Sequence, residues 1–199
     1  MSIVRGVGTM RKPATYDDLV ALPENMVGQI IDGELIAFPR PASDHAFACS
    51  VLMSELGGPF QKGSGGPGGW WILFEPELHF GPDVLVPDLA GWTRERLPEV
   101  TRRPWFELAP DWVCEFLSPS TARFDRTKKL PVYARQGVAH VWLVDPLHRT
   151  FEAYRRVGAH WLLVTTAGDA DRVRAAPFEA LELALPSLWG ETGAPAAAP

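Results

Sequence analysis

Val84-Leu85-Val86-Pro87-Asp88-Leu89-Ala90 and Trp112-Val113-Cys114-Glu115-Phe116-Leu117 are two apolar runs, and each carries a single carboxylate. Short apolar runs read as strands, and near-continuous apolarity places a strand inside a sheet covered on both faces. A carboxylate there is costly to bury unless it is paired, protonated or bound to a cation. Two of them on successive strands can converge on one hard cation, because magnesium takes one or two carboxylates and completes its shell with water and phosphate oxygens. Plainer explanations stand beside this one. Asp88 also suits a strand end after Pro87, and Glu115 also suits a core carboxylate paired with an arginine.

Downstream of Glu115, Ser118-Pro119-Ser120-Thr121 reads as a helix start, with Ser before Pro at the first helical position, and its free backbone N–H groups are expected to favour phosphate. The helix is expected to run to about Arg135, kinked at Pro131 and ended by Gly137. Asp125, Lys129 and Tyr133, spaced by four, share one face of it. Taken alone, Asp125 and Lys129 also fit a surface ion pair worth about 0.3–0.5 kcal/mol. Strands follow at 138–144, 150–154 and 161–165.

Upstream, 70–80 and 84–92 read as two strands joined at Gly81-Pro82-Asp83. Residues 43–56 read as a helix with Phe47, Val51, Leu52 and Leu56 on one side, and 57–69 as a flexible Gly-rich connector. That connector lacks the Gly-Lys-Ser/Thr ending of a phosphate-cradling loop. Residues 28–38 suit a hairpin turning at Asp32-Gly33, and Thr15 with Asp18 suits the cap of a short helix. The sum is an α/β to α+β fold, a mixed sheet with helices against it rather than a regular βαβ repeat.

Composition bounds the function. A chain of 199 residues, 46% hydrophobic and 22% charged, suits one globular domain, assigned to 13–190, with disordered tails at 1–12 and 191–199. No run approaches the roughly 20 apolar residues of a membrane span. Residues 1–12 lack a secretory apolar region, so a cytoplasmic location is expected. Cys49 and Cys114 suit free buried thiols, and the five histidines show no HExxH spacing. The net charge of −5 argues against a protein that simply coats nucleic acid. Yet Arg123, Arg126, Lys128, Lys129 and Arg135 crowd one segment whose only acid is Asp125, which suits either a nucleic-acid-facing strip or a solvated helix face.

The order Gln29-Ile30-Ile31-Asp32-Gly33-Glu34-Leu35, Val86-Pro87-Asp88-Leu89-Ala90-Gly91-Trp92 and Glu115-Phe116-Leu117-Ser118-Pro119-Ser120-Thr121 resembles the Uma-two family of restriction-endonuclease-like proteins. Asp125, Lys129, Tyr133, Gly137-Val138 and Trp142-Leu143-Val144-Asp145-Pro146 extend the resemblance over roughly 13–190. It implies the PD-(D/E)XK nuclease fold, a mixed sheet flanked by helices, and metal-dependent hydrolysis of phosphodiesters in DNA. By this resemblance Asp88 and Glu115 ligate magnesium or manganese, and the Phe116 carbonyl completes the protein ligands. The strand lysine of that superfamily is absent, since Leu117 stands there, and the resemblance moves its role to the helix residue Lys129, with Lys128 as neighbour.

Glu34 matches an acid from the early part of the fold, as an extra ligand or water-orienting group. His45 matches a histidine of the family and, with Arg123, Arg126 and Lys128, is a candidate for binding substrate. Glu75, followed by Pro76, is a further acid whose direction the sequence leaves open. The implied partner is nucleic acid, DNA before RNA or a small phosphoester, with a homodimer among the arrangements such nucleases adopt. The rival expectation is a catalytically weak or inactive nucleic-acid-binding or interaction protein on the same fold, supported by the displaced lysine and the acidic charge.

Overall fold

Two prolines, Pro76 and Pro87, shape the centre of the molecule. Proline has no N–H to donate to a ladder, so a strand that contains one must break or lie at an edge. The computed structural model describes residues 12–39 and 42–191, and the expected tails fall outside it except for Lys12 and Glu191.

Helix α1 (Tyr16–Val20) opens with the expected capping box, the Thr15 hydroxyl and the Asp18 carboxylate each accepting from the other's backbone N–H. Strands β1 (Met26–Ile31) and β2 (Glu34–Pro39) form the hairpin, with Asp32 and Gly33 at φ of 51° and 78° as a type I′ turn demands. Helix α2 (Ser43–Leu56) runs into a π-helical turn, Gly57–Lys62, which buries Phe60 where a flexible connector was expected. Next come β3 (Trp70–Phe74), β4 (Glu77–Phe80), β5 (Asp83–Leu85), β6 (Leu89–Thr93), β7 (Trp105–Phe106) and β8 (Trp112–Phe116). Helix α3 (Ala122–Phe124), a second π-helical turn at Asp125–Lys129, and α4 (Leu130–Gln136) follow. Strands β9 (His140–Asp145), β10 (Thr150–Val157), β11 (His160–Gly168), β12 (Arg172–Val173) and β13 (Leu183–Ala184) lead to α5 (Leu185–Leu188).

The two long strands expected at 70–80 and 84–92 do not stay whole. The first breaks at Glu75-Pro76 and the second at Val86-Pro87-Asp88, so β3 and β6 enter one sheet while β4 and β5 enter another. The fold is therefore mixed α+β with two large sheets, not one. The six-stranded sheet runs β11-β10-β9-β8-β6-β3, antiparallel except between β8 and β9. The five-stranded sheet runs β2-β1-β5-β4-β7, antiparallel except between β4 and β7. β12 and β13 pair separately.

One face of the larger sheet is covered by α2, where Ala48, Cys49, Leu52 and Leu56 pack with Ile72, Trp112, Trp142 and Phe178. The inward face of α2 is thus rotated from the expected one, and Phe47 is exposed. The opposite face carries Ala90, Val113 and Leu143 against Leu130 and Tyr133 of α4. Both cysteines are free and buried.

The expected helix from 118 to 135 is also divided. It starts at Ala122, because the Ser118 carbonyl accepts from both Thr121 and Ala122 N–H and ties the preceding residues into a turn. Pro131 does not kink a regular helix. It sits in the first turn of α4, just after the π turn, where the helical ladder is already shifted by a residue.

Candidate active site

Asp88 and Glu115 meet because of strand register. β6 pairs with β8 through Leu89 opposite Cys114, so one step further along each strand sets Asp88 opposite Glu115. Pro87 frees Asp88 from the ladder, and its carboxylate instead accepts the Phe116 N–H at 2.7 Å. His45, one turn into α2, reaches the same Asp88 oxygen with Nε2 at 3.2 Å. Glu115, 1% exposed, accepts from Lys129 Nζ at 2.8 Å on one oxygen and from the Tyr133 hydroxyl at 2.5 Å on the other. The Lys129 ammonium is also bonded to the Val86 carbonyl at 3.1 Å and paired with Asp125 at 3.4 Å.

These groups line a cleft of about 330 Å³ between the β1–β2 hairpin, the N-terminal end of α2 and the segment after β8. The structure brings Asp88, Glu115, Phe116, Lys129, His45 and Asp125 into it, and also Glu75, whose N–H donates to the Asp88 carbonyl at 3.0 Å. The Asp125–Lys129 pair is not a surface pair, since both residues are at least 96% buried. Tyr133, the third residue of that helix face, holds Glu115. The four-residue spacing of Asp125, Lys129 and Tyr133 was the available signal.

Three expectations are corrected. Glu34 lies outside this cleft, on the exposed start of β2 beside the hairpin turn, 3.7 Å from Lys128. The hairpin puts its far strand end, not its turn, toward the cleft, so Val27 and Phe38 line it while Glu34 cannot. The basic strip is largely neutralised by this chain's own acids: Arg126 binds Glu152 at 2.8 Å, Lys128 faces Glu34, and Arg135 binds Asp83 at 2.8 Å. Arg123 is exposed and outside the cleft. Finally, three amides of the helix start are not free for phosphate, because those of Ser118, Thr121 and Ala122 are already bonded within the turn.

The electrostatics follow from crowding Asp88, Glu115 and Asp125 around one lysine, with Glu75 lining the same cleft. Burial and the charges of Asp125 and Asp88 push the Glu115 carboxyl up to about 8, against the pull of Lys129. Burial likewise raises Asp125, only partly offset by Lys129. Burial alone would lower Lys129, but Glu115, Asp125 and Asp88 outweigh it and hold the ammonium above the usual lysine value. For His45, too, burial lowers the pKa, but its bond to Asp88, the Asp88 and Glu115 charges and a hydrogen bond to the Phe116 backbone raise it on balance.

The surplus of negative charge is what a divalent cation relieves, and carboxylate and carbonyl oxygens are the donors a hard cation takes. In the present side-chain arrangement, no three His, Cys, Asp or Glu groups among the described residues already form a metal-holding set. Both Glu115 oxygens and one Asp88 oxygen meet protein donors instead.

A family model, Uma2, described as "Putative restriction endonuclease", matches residues 14–186. Among solved structures, that of "a putative nuclease belonging to DUF820" from Anabaena variabilis ATCC 29413 superposes with a TM-score of 0.72 at 25% identity, covering 90% of this chain and 99% of that one. No curated protein matches the chain.

Proposed function

This chain belongs to the Uma2 family, and from that premise we propose that it is a divalent-metal-dependent nuclease hydrolysing phosphodiester bonds of DNA. The observation that carries this reading is the pairing of Asp88 with a buried Glu115 at the floor of a cleft, with a lysine from the following helix bonded to the glutamate. Asp88 and Glu115 would hold magnesium or manganese with the Phe116 carbonyl. Such an ion makes water easier to ionise and offsets charge growing on the phosphate.

The chain's own groups then have distinct tasks. Lys129, kept protonated by the carboxylates around it, supplies a fixed positive charge in the cleft rather than a proton acceptor. Tyr133 fixes the orientation of Glu115 through one oxygen. His45 fixes Asp88 and carries a proton at Nε2 toward its carboxylate, so it acts through a ligand rather than as the expected substrate contact. The apolar wall of Val27, Phe38 and Phe124 narrows access of water to the floor.

Incubation of the protein with magnesium or manganese and varied DNA substrates tests the reading. Metal-dependent cleavage is expected, and Asp88→Asn and Glu115→Gln should each lower it by about 10²-fold or more, the scale of losing a preorganised electrostatic group. Wild-type cleavage by either variant would overturn the assignment. The rival, a protein of this fold that binds without turnover, draws on one observation: Lys129 is fully engaged by this chain's own groups. A folded wild-type protein that takes up no divalent cation would favour it.

A further inference from the structure

We propose that Glu75, not Glu34, supplies the third acidic arm of the cation site, and this rests on the reading of Asp88 and Glu115 as its first two. The argument is one of register. β3 pairs with β6 through Phe74 opposite Leu89, and β6 pairs with β8 through Leu89 opposite Cys114. One step beyond those pairs, Glu75 and Asp88, each just outside its strand, fall in one row with Glu115 of β8.

The row is fixed at both ends. The Glu75 N–H donates to the Asp88 carbonyl at 3.0 Å, and the Phe116 N–H donates to the Asp88 carboxylate at 2.7 Å. Pro76 and Pro87 stop the two ladders beside this row, so the acids stand where the sheet opens rather than in the middle of a closed face.

Glu75 also adopts φ of +43°, a left-handed conformation that a non-glycine residue keeps only where its surroundings enforce it. It lines the same cleft as Asp88 and Glu115 and is only partly exposed. A glutamate has three side-chain torsions, which gives Glu75 the reach to swing onto an ion already held by its two neighbours. Glu34 has no such route from the outer end of the hairpin.

Manganese titration, followed by calorimetry or by loss of the free-ion paramagnetic resonance signal, separates the alternatives on wild type, Glu75→Gln, Glu75→Asp, Glu34→Gln and Asp88→Asn. Glu75→Gln should weaken manganese binding about tenfold or more, Glu75→Asp should weaken it by less, and Glu34→Gln should leave it as in wild type. Glu75→Asp keeps the charge and shortens the arm, so it decides the matter if the glutamine variant fails to fold. Wild-type affinity in both Glu75 variants, with binding lost in Asp88→Asn, overturns the role of Glu75 and leaves the two-carboxylate reading standing. Wild-type affinity in Asp88→Asn overturns that underlying reading instead.

Discussion

Lys129 shows how much one residue carries here. Its ammonium is 4% exposed with the side chain and bonds three groups on three different segments: the Val86 carbonyl before β6, Glu115 on β8 and Asp125 in its own helical turn. Replacing it by methionine keeps the volume but leaves two buried carboxylates without their cation. Breaking a buried pair in this way costs about 3–5 kcal/mol. Above about pH 8, where Glu115 is ionised, Lys129→Met should therefore lower the urea midpoint of the metal-free protein strongly, and added manganese should restore part of the loss by neutralising the same carboxylates. An unchanged midpoint would mean that Glu115 and Asp125 are protonated and that the lysine charge is not needed. The residue was legible in the sequence as a helix lysine four after an aspartate. That it points inward was not, because a four-residue spacing fixes which face a side chain shares and not what that face packs against.

Among the elements, the β1–β2 hairpin does more than cover the cleft. Gln29 of β1 is 4% exposed, and its side-chain oxygen accepts the Val86 N–H at 3.1 Å. That bond satisfies a backbone donor at the point where the chain leaves one sheet for the other, one residue before Pro87. Gln29→Leu should leave the donor buried and unpaired, at a cost of about 1–3 kcal/mol. The loss is measurable by denaturant unfolding, and cleavage should fall together with it because Val86 also anchors Lys129. A neutral result would mean that β5 and β6 hold their positions without the hairpin. The hairpin itself was readable from Asp32-Gly33, and α2 from its length and periodicity. The broken strands were not, although Pro76 and Pro87 were in plain view, because a proline marks a break without saying where each half goes.

For the whole molecule, the acid cluster is expected to couple stability to pH and, on the proposed reading, to metal. Glu115 is raised from 4.5 to about 8 by burial and by its neighbouring carboxylates, and His45 is raised from 6.5 by Asp88 against the effect of burial. Groups whose folded pKa lies above the unfolded value contribute stability that is complete below the unfolded pKa and is lost as pH rises through the folded one. The metal-free protein should therefore melt at progressively lower temperature as pH rises from about 5 to about 8, and Glu115→Gln should flatten that slope. A divalent cation should reverse the trend, stabilising most at the alkaline end, where the carboxylates are ionised. Thermal melts with and without manganese across that range check it, and a melting temperature that rises with pH in the metal-free protein would contradict the charge surplus. The sequence by itself determined the class of fold, the hairpin and the long helix, and it pointed to Asp88, Glu115 and Lys129 as neighbours, because those depend on local periodicity, turn chemistry and motif order. Only the tertiary structure decided that there are two sheets, that Glu34 stands away from the cleft while Glu75 lines it, and that the basic residues around Lys129 are largely paired with this chain's own acids. Those outcomes depend on strand register and on partners distant in sequence, which no local pattern encodes.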